Sequence, residues 1–332
     1  MTLKYLITGA TGCIGSRVLA YFVENIPSSE YAATSSQEAS RQHFEKHGVA
    51  FRLANYDEPE TLDIAFKDVE NLFFVSTDVF DTSRRIVQHR NAIEAAQRAG
   101  VKHIWYTSLA FGGLGSDSKI SVQSAHLQTE KMLKNSGMTY TSIREGLYAE
   151  IFPVILQWYP HTETVYVPDG QITLTSMEEL AEATAKLLIQ GGHENEIVLL
   201  CANEPLGPAE IVKIINETTS RDVKVVIFPS EDYASDYSTY HQKEKKSEPQ
   251  EFWQQIQNWC EGIAKGDLNL SNPLMKEMLG REPLTTSQSI RKILKRNPNY
   301  TYPEVENQLQ SGSIQREITE QHFNYEAYWC HL

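Results

Sequence analysis

The chain has 332 residues, and its 30 Lys and Arg against 43 Asp and Glu give a formal net charge of -13, which argues against direct binding to nucleic acid. A composition of 41% hydrophobic residues is that of a globular protein long enough to bury one large α/β core or two smaller domains. No apolar run approaches a membrane span and no leader precedes the first strand, so the sequence predicts no membrane contact and a cytoplasmic address; Cys13, Cys201, Cys260 and Cys330 are too scattered to predict a metal site.

The first predicted element is a short apolar strand, Leu3 to Thr8. It runs into Thr8-Gly9-Ala10-Thr11-Gly12-Cys13-Ile14-Gly15 and then into a helix, Cys13 to Asn25, with Ile14, Val18, Leu19, Phe22 and Val23 on one face. Such a strand, turn and helix cradle a pyrophosphate. Gly9 permits the tight turn, Gly12 lets the backbone approach phosphates, and Gly15 lets the helix pack closely on the sheet, while the helix N-terminus presents unpaired N–H groups to an anion. The glycines recur at every third residue, not in the commonest dinucleotide spacing, so the pattern gains its force from its context. A nucleotide cofactor is the first expectation, and a glycine turn without a ligand is its alternative. Cys13 reads as a small filler in that turn.

Apolar strands then alternate with amphipathic helices. Strands are predicted at Glu30 to Ser35, Val49 to Ala54, Asn71 to Ser76, Val101 to Ser108 and Met138 to Arg144. Helices are predicted at Gln37 to Lys46, Glu58 to Phe66, Arg84 to Ala99 (closed by Gly100) and Ser121 to Asn135. This is the order of a Rossmann-type doubly wound parallel sheet, an α/β fold whose ligands sit at the carboxyl ends of the strands. Further on come a helix-like stretch, Ile151 to Trp158, and short strands at Thr164 to Val167 and Gln171 to Leu174. An α/β return follows through Met177 to Gln190, Ile197 to Cys201, Pro208 to Thr219 and Val223 to Phe228. Ser230 to Gln250 reads as a mobile polar segment before helices at Glu251 to Lys265 and Ser287 to Arg296. The predicted organisation is a dinucleotide-binding Rossmann domain at 1–150, a smaller substrate-binding subdomain at 151–296 and a C-terminal tail at 297–332.

Several segments together resemble a family. They are Thr8 to Gly15, Ala54-Asn55-Tyr56-Asp57-Glu58-Pro59-Glu60-Thr61-Leu62, Val101-Lys102-His103-Ile104-Trp105-Tyr106-Thr107-Ser108, Ala125-His126-Leu127-Gln128-Thr129-Glu130-Lys131, Ile143-Arg144-Glu145-Gly146-Leu147-Tyr148 and Gly192-His193-Glu194-Asn195. The chain is similar over residues 1 to 292 to the NmrA-like atypical short-chain dehydrogenases, and among them to the quinone oxidoreductase and triphenylmethane reductase branch. The resemblance implies that Gly9, Thr11, Gly12, Cys13 and Ile14 hold the pyrophosphate of NAD(P). It implies Asn55 and Tyr56 beside the adenine, Ser76 and Thr77 near the nicotinamide ribose, and Gly146, Leu147 and Tyr148 at the border of nicotinamide and substrate pocket. Many relatives place an Arg at the end of the second strand for the 2′-phosphate, where this chain has Ser36. Ser36 could donate to a phosphate and Arg41 could reach it, so NADP(H) is favoured over NAD(H); a solvated helix charge is the alternative reading of Arg41.

The wider superfamily uses a Tyr-x-x-x-Lys pair on the helix after the fifth strand, where this chain has Val122 and His126. His126 is the candidate proton donor or orienting group because imidazole titrates near neutrality, and Tyr148 is a second candidate as a phenol at the pocket edge. Structural packing is the alternative for each. Glu130 and Lys131 read as a solvated pair, and Ser108 as a strand-end serine near the reacting oxygen or a simple terminator. Two functions remain open. One is an NAD(P)H-dependent reductase delivering hydride to a quinone or other conjugated small molecule without the Tyr-Lys pair. The other is a redox sensor of the NmrA kind, which binds the nucleotide without turnover and acts through a partner protein. The tail is the candidate surface for that partner or for a homodimer.

Overall fold

A computed structural model describes residues 2–79, 81–118, 120–228 and 250–302, and at 250–256 it describes the backbone alone. Among these residues one parallel sheet of seven strands runs in the order β3-β2-β1-β4-β5-β6-β8. Its strands are β1 (Leu3–Ile7), β2 (Tyr31–Ser35), β3 (Ala50–Leu53), β4 (Val69–Phe74), β5 (His103–Leu109), β6 (Thr139–Glu145) and β8 (Glu196–Leu200). A separate parallel pair joins β7 (Thr164–Pro168) to β9 (Lys224–Phe228), from Thr164↔Lys224 to Pro168↔Phe228. The helices are α1 (Cys13–Asn25), α2 (Arg41–Lys46), α3 (Pro59–Ala65), α4 (Thr82–Ala99), α5 (Ser121–Asn135), α6 (Phe152–Ile155), α7 (Met177–Gln190), α8 (Pro208–Thr219), α9 (Gln250–Lys265), α10 (Leu274–Leu279) and α11 (Thr286–Arg296). This is the doubly wound Rossmann-type arrangement.

The strands are apolar throughout because both faces are covered. Alternate residues divide between two cores: Tyr5, Ile7, Ala33, Phe73, Trp105 and Ile143 pack with α1 and α7, whereas Leu6, Ala32, Leu72, Phe74, Ile104 and Tyr106 pack with α3, α4 and α5. α1 lies against α7, so residues beyond 151 build the same core as the glycine turn, and β8 continues the main sheet past β6. β2 and β3 leave β1 on one side, and β4 on the other. That switch point opens a crevice at the carboxyl edge, where the loops after β1 to β6 gather.

Local chemistry sets the ends. The Asp81 carboxylate accepts the Arg84 N–H at 2.6 Å to start α4, and Gly100, at φ 71°, ends it as expected. Three expectations need correction. Gln171 to Leu174 is no strand: it makes a lone bridge, Ile172↔Leu206, while Thr173 bonds to Leu268 and Leu270 and the Thr286 hydroxyl takes the Leu174 N–H. Ile151 to Trp158 is not one helix: a 3-10 turn, Ala149–Ile151, leads into the short α6 with Pro153 in its first turn, and Gln157 then turns the chain at φ 48°. Gln37 to Lys46 divides into a 3-10 turn, Glu38–Ser40, and α2. The six-residue α10 shows too little periodicity to be foreseen. Residues 300–302 are packed: the Tyr302 N–H donates to Trp158 O at 2.6 Å and its ring stacks on Tyr159. The expected mobile segment, up to residue 249, and the tail from 303 onward, Cys330 included, lie outside the described residues. Among the described residues no helix is long and apolar enough to cross a membrane.

Candidate functional site

The turn after β1 is built around two close approaches. Gly9 adopts φ 56°, and a Cβ there would stand 3.0 Å from Val75 Cβ. A Cβ on Gly15 would stand 2.2 Å from Gly9 O, so only glycine lets α1 begin this close to the strand end. Gly12 is the N-cap of α1 in extended conformation, with no side-chain cap and no acidic residue in the first turn. Cys13 and Ile14 lead that turn with their side chains buried, and their N–H groups point out of the helix end. Thr11 is half-buried on the turn. An anion is the complement of this geometry.

At the ends of β2 and β3, Ser36 is exposed, while Ser35 Oγ takes the Gln37 N–H and bonds Ser40 Oγ. Arg41 is held by Glu38 and, at 3.3 Å, by Glu45, with its guanidinium 4.8 Å from the centre of the Phe51 ring. Asn55 accepts the Asp57 N–H and donates to Glu58. The Tyr56 hydroxyl turns inward to Thr8 Oγ1 (2.6 Å) and Val75 O (2.9 Å), and burial raises its pKa. α4 fixes this loop from beside it: Arg84 and Gln88 donate to Asp57, and Asn91 donates to Tyr56 O.

The ends of β4 and β5 meet α4 and α5 in a buried polar network. Thr77 N–H (3.3 Å) and Ser76 Oγ (3.1 Å) both face His89 Nε2, so that nitrogen accepts and Nδ1 carries the proton, donated to Thr129 Oγ1 at 2.8 Å. Arg85 Nη1, which can only donate, faces His126 Nε2 at 3.3 Å; His126 therefore carries its proton on Nδ1, 2.7 Å from the Tyr106 hydroxyl. Burial and then the Arg85 charge push His89 down to about 3 and hold His126 well below the usual histidine range. The expectation that His126 titrates near neutrality is thus corrected: it is 2% exposed and a neutral imidazole with both nitrogens engaged.

Glu130 is also corrected from a solvated charge. It is 6% exposed and makes a bidentate pair with Arg144, which is 1% exposed, at 2.9 and 2.7 Å. Ser108 and Ser142 donate to the same carboxylate, which accounts for Ser108 structurally, and Arg144 Nη1 donates to Gly113 O and Gly115 O in the loop leading to α5. After β6, Gly146 is required by packing, since a Cβ would lie 2.6 Å from Thr175 Oγ1 and 2.8 Å from Cys201 Cβ. Leu147 is buried beside it, and the buried Tyr148 hydroxyl donates to Glu145 at 2.7 Å.

Gly9, Thr11, Gly12, Ser36, Asn55, Tyr56, Ser76, Thr77, Gly146 and Leu147 therefore all follow the carboxyl ends of strands, and an extended dinucleotide would fit that edge. The sequence reading missed Arg85, His89, Tyr106, Gln123 and Glu145. The signal for two of them was present, because Arg85 and His89 fall on the apolar stripe of α4 with Ala92 and Ala96, where an ordinary surface charge does not belong.

The family described as NmrA-like matches residues 1–253. An NmrA-like family domain-containing oxidoreductase, flvB of Aspergillus flavus, is 48% identical over 306 residues, 91% of this chain and 99% of that protein. Among solved structures, the triphenylmethane reductase of Citrobacter sp. complexed with NADP(H) superposes with a TM-score of 0.75 at 27% identity, covering 87% of this chain and 99% of that one. The NADPH-dependent quinone oxidoreductase of Escherichia coli complexed with NADPH superposes with a TM-score of 0.75 at 26% identity, again over 87% of this chain and 99% of its own.

Proposed function

Because the chain belongs to the NmrA-like family, we propose that it is an NAD(P)H-dependent reductase passing hydride to a quinone or other conjugated small molecule. The observation that carries this reading is the α1 turn, where Gly9, Gly12 and Gly15 leave an uncapped helix end at the switch point of the sheet. The relatives with that cofactor in place, complexed with NADP(H) and with NADPH, support NADP(H) here. Ser36 and Arg41 would receive the 2′-phosphate of an NADP, Arg41 by giving up Glu38.

When bound, the reduced nicotinamide supplies the hydride. The chain supplies position and a dry wall. Gly9, Thr11, Gly12, Cys13 and Ile14 hold the pyrophosphate, Asn55 and Tyr56 flank the adenine, and Ser76 and Thr77 are fixed for the ribose by the His89 lone pair. Gly146, Leu147 and Tyr148 close the nicotinamide side, and Tyr148 is held by Glu145. His126 acts as a positioning residue, orienting Tyr106 and Arg85. Reduction of an extended π system asks little more, since negative charge spreads over the acceptor and its last proton can come from water.

A non-turnover redox sensor is the second reading, favoured by one observation: His126, at the place of the superfamily's lysine, is neutral and enclosed. Anaerobic oxidation of NADPH and of NADH by the purified protein, against quinones, cationic triarylmethane dyes and conjugated aldehydes, separates the two. Saturable turnover preferring NADPH is expected; tight nucleotide binding with no acceptor reduced would leave the sensor standing.

A further inference from the structure

Arg85 is 3% exposed, yet no carboxylate lies within ion-pair distance of it among the described residues. Its Nε donates to Val79 O at 2.9 Å and its Nη1 to His126, while Nη2 meets no acceptor among those residues. Gln123, which is 0% exposed, has no hydrogen-bond partner among the described residues for either Oε1 or Nε2. It precedes His126 by three residues on α5, so the two are neighbours on one face, with Gln123 toward the carboxyl edge from which the helix starts. Arg85 thus meets the imidazole directly and Gln123 lies one helical turn before it, on the first turns of α4 and α5. A buried cation without an anion and a buried amide without partners each oppose folding. Among the described residues the Asp78 charge offsets the Arg85 cation only from beyond ion-pair distance, and nothing pairs with the Gln123 amide. What would compensate both is a ligand oxygen that accepts from Arg85 Nη2 and Gln123 Nε2 and is most welcome when negatively charged.

We infer that Arg85 and Gln123 form an acceptor-oxygen subsite, which binds the carbonyl oxygen of a neutral conjugated acceptor, holds it as a phenolate or enolate, and disfavours cationic dyes. The inference rests on the reductase reading for its substrate. A chain of contacts from Arg85 through His126, Tyr106 and His89 ends at Ser76 and so connects the subsite to the place expected for the nicotinamide ribose. Hydride arriving at one end of the conjugated system forms the new bond to hydrogen and drives the C=O π pair onto oxygen at the other end. That oxygen stays bonded to carbon and becomes a hydroxyl by taking a proton from water, the reduced acceptor departs, and the nicotinamide is left oxidised. A guanidinium facing the developing charge stabilises it more than it stabilises the neutral carbonyl. It repels an acceptor that already carries positive charge.

The test uses the full chain, Arg85→Gln and Gln123→Leu, with 4-nitrophenol as a probe whose absorbance separates phenol from phenolate, in the absence of reduced cofactor. The wild type is expected to bind it as phenolate, and both variants, folded by thermal melt, to bind it at least tenfold more weakly. Arg85→Gln is also expected to shift the ratio of kcat/KM for a quinone over a cationic triarylmethane dye toward the dye by at least tenfold. Gln123→Leu removes no charge and carries the test if Arg85→Gln fails to fold. Absence of phenolate binding by the wild type, or equal binding by the folded variants, would overturn the subsite and leave a purely structural polar pair. Phenolate binding lost in the variants with no acceptor reduced would uphold the subsite and sink the reductase reading; quinone reduction identical in all three proteins with unchanged phenolate binding would do the reverse.

Discussion

Gly15 shows how little freedom a single position has in this site. Its missing Cβ is the space occupied by Gly9 O, 2.2 Å from where that atom would be, and the clash is with backbone that cannot swing away. Gly15→Ala should therefore displace the turn and weaken NADPH binding at least tenfold, read by fluorescence titration, together with a lower Tm. Glu150 has a different sensitivity. It faces the start of α7, its Oε1 taking the Met177 N–H at 3.3 Å, while Oε2 has no partner among the described residues; burial pushes its carboxyl up to about 7. The folded protein then keeps this proton to higher pH than the unfolded chain does, so stability is greatest below the ordinary carboxylate pKa and falls as pH rises through about 7. Glu150→Gln, which can still accept from Met177, should stabilise the protein at pH 8 by on the order of 1–3 kcal/mol and change little at pH 4, measured by denaturant unfolding at both.

At the scale of elements, the buried pair of Glu130 on α5 and Arg144 on β6 binds helix, strand and loop into one unit. Arg144 also takes the carbonyls of Gly113 and Gly115, and Ser108 and Ser142 saturate the Glu130 carboxylate. Glu130→Ala leaves a guanidinium without its anion in a 1% exposed setting and should cost about 3–5 kcal/mol in an unfolding titration. A loss below about 1 kcal/mol would show that the pair is dispensable. The predicted bounds of α5, Ser121 to Asn135, match the structure because its helical periodicity is clear, but no pattern along the chain identifies Glu130 as buried. A carboxylate one turn from His126 looks the same whether it meets water or an arginine brought in from the next strand.

For the molecule as a whole, the site is assembled from parts far apart in sequence. The loop between β5 and α5 is clamped by α9 and the turn after it: Trp259 packs edge-on to Phe111 at 5.1 Å, Lys265 pairs with Asp117 at 3.0 Å, Ser118 donates to Asp267 at 2.6 Å, and Gly262 leaves room for Ile120. Trp259→Ala should raise amide hydrogen exchange across 111–118 while leaving β1 and β4 protected. Equal protection in the variant would mean that the polar contacts alone hold the loop. The packing of α7 on α1 ties the second half of the chain to the nucleotide turn, so the two predicted domains contribute to a common core.

The amino-acid sequence by itself determined the doubly wound sheet, the glycine turn and the ends of the strands, because these depend on period, on glycine and on local order, all of which are written along the chain. Only the tertiary structure decided the protonation of His126, the burial of Glu130 and the burial of Arg85 and Gln123 without full hydrogen bonding. Their chemistry follows from desolvation and from partners on other elements: Arg85 lies 41 positions from the imidazole it faces, and no local pattern records that meeting.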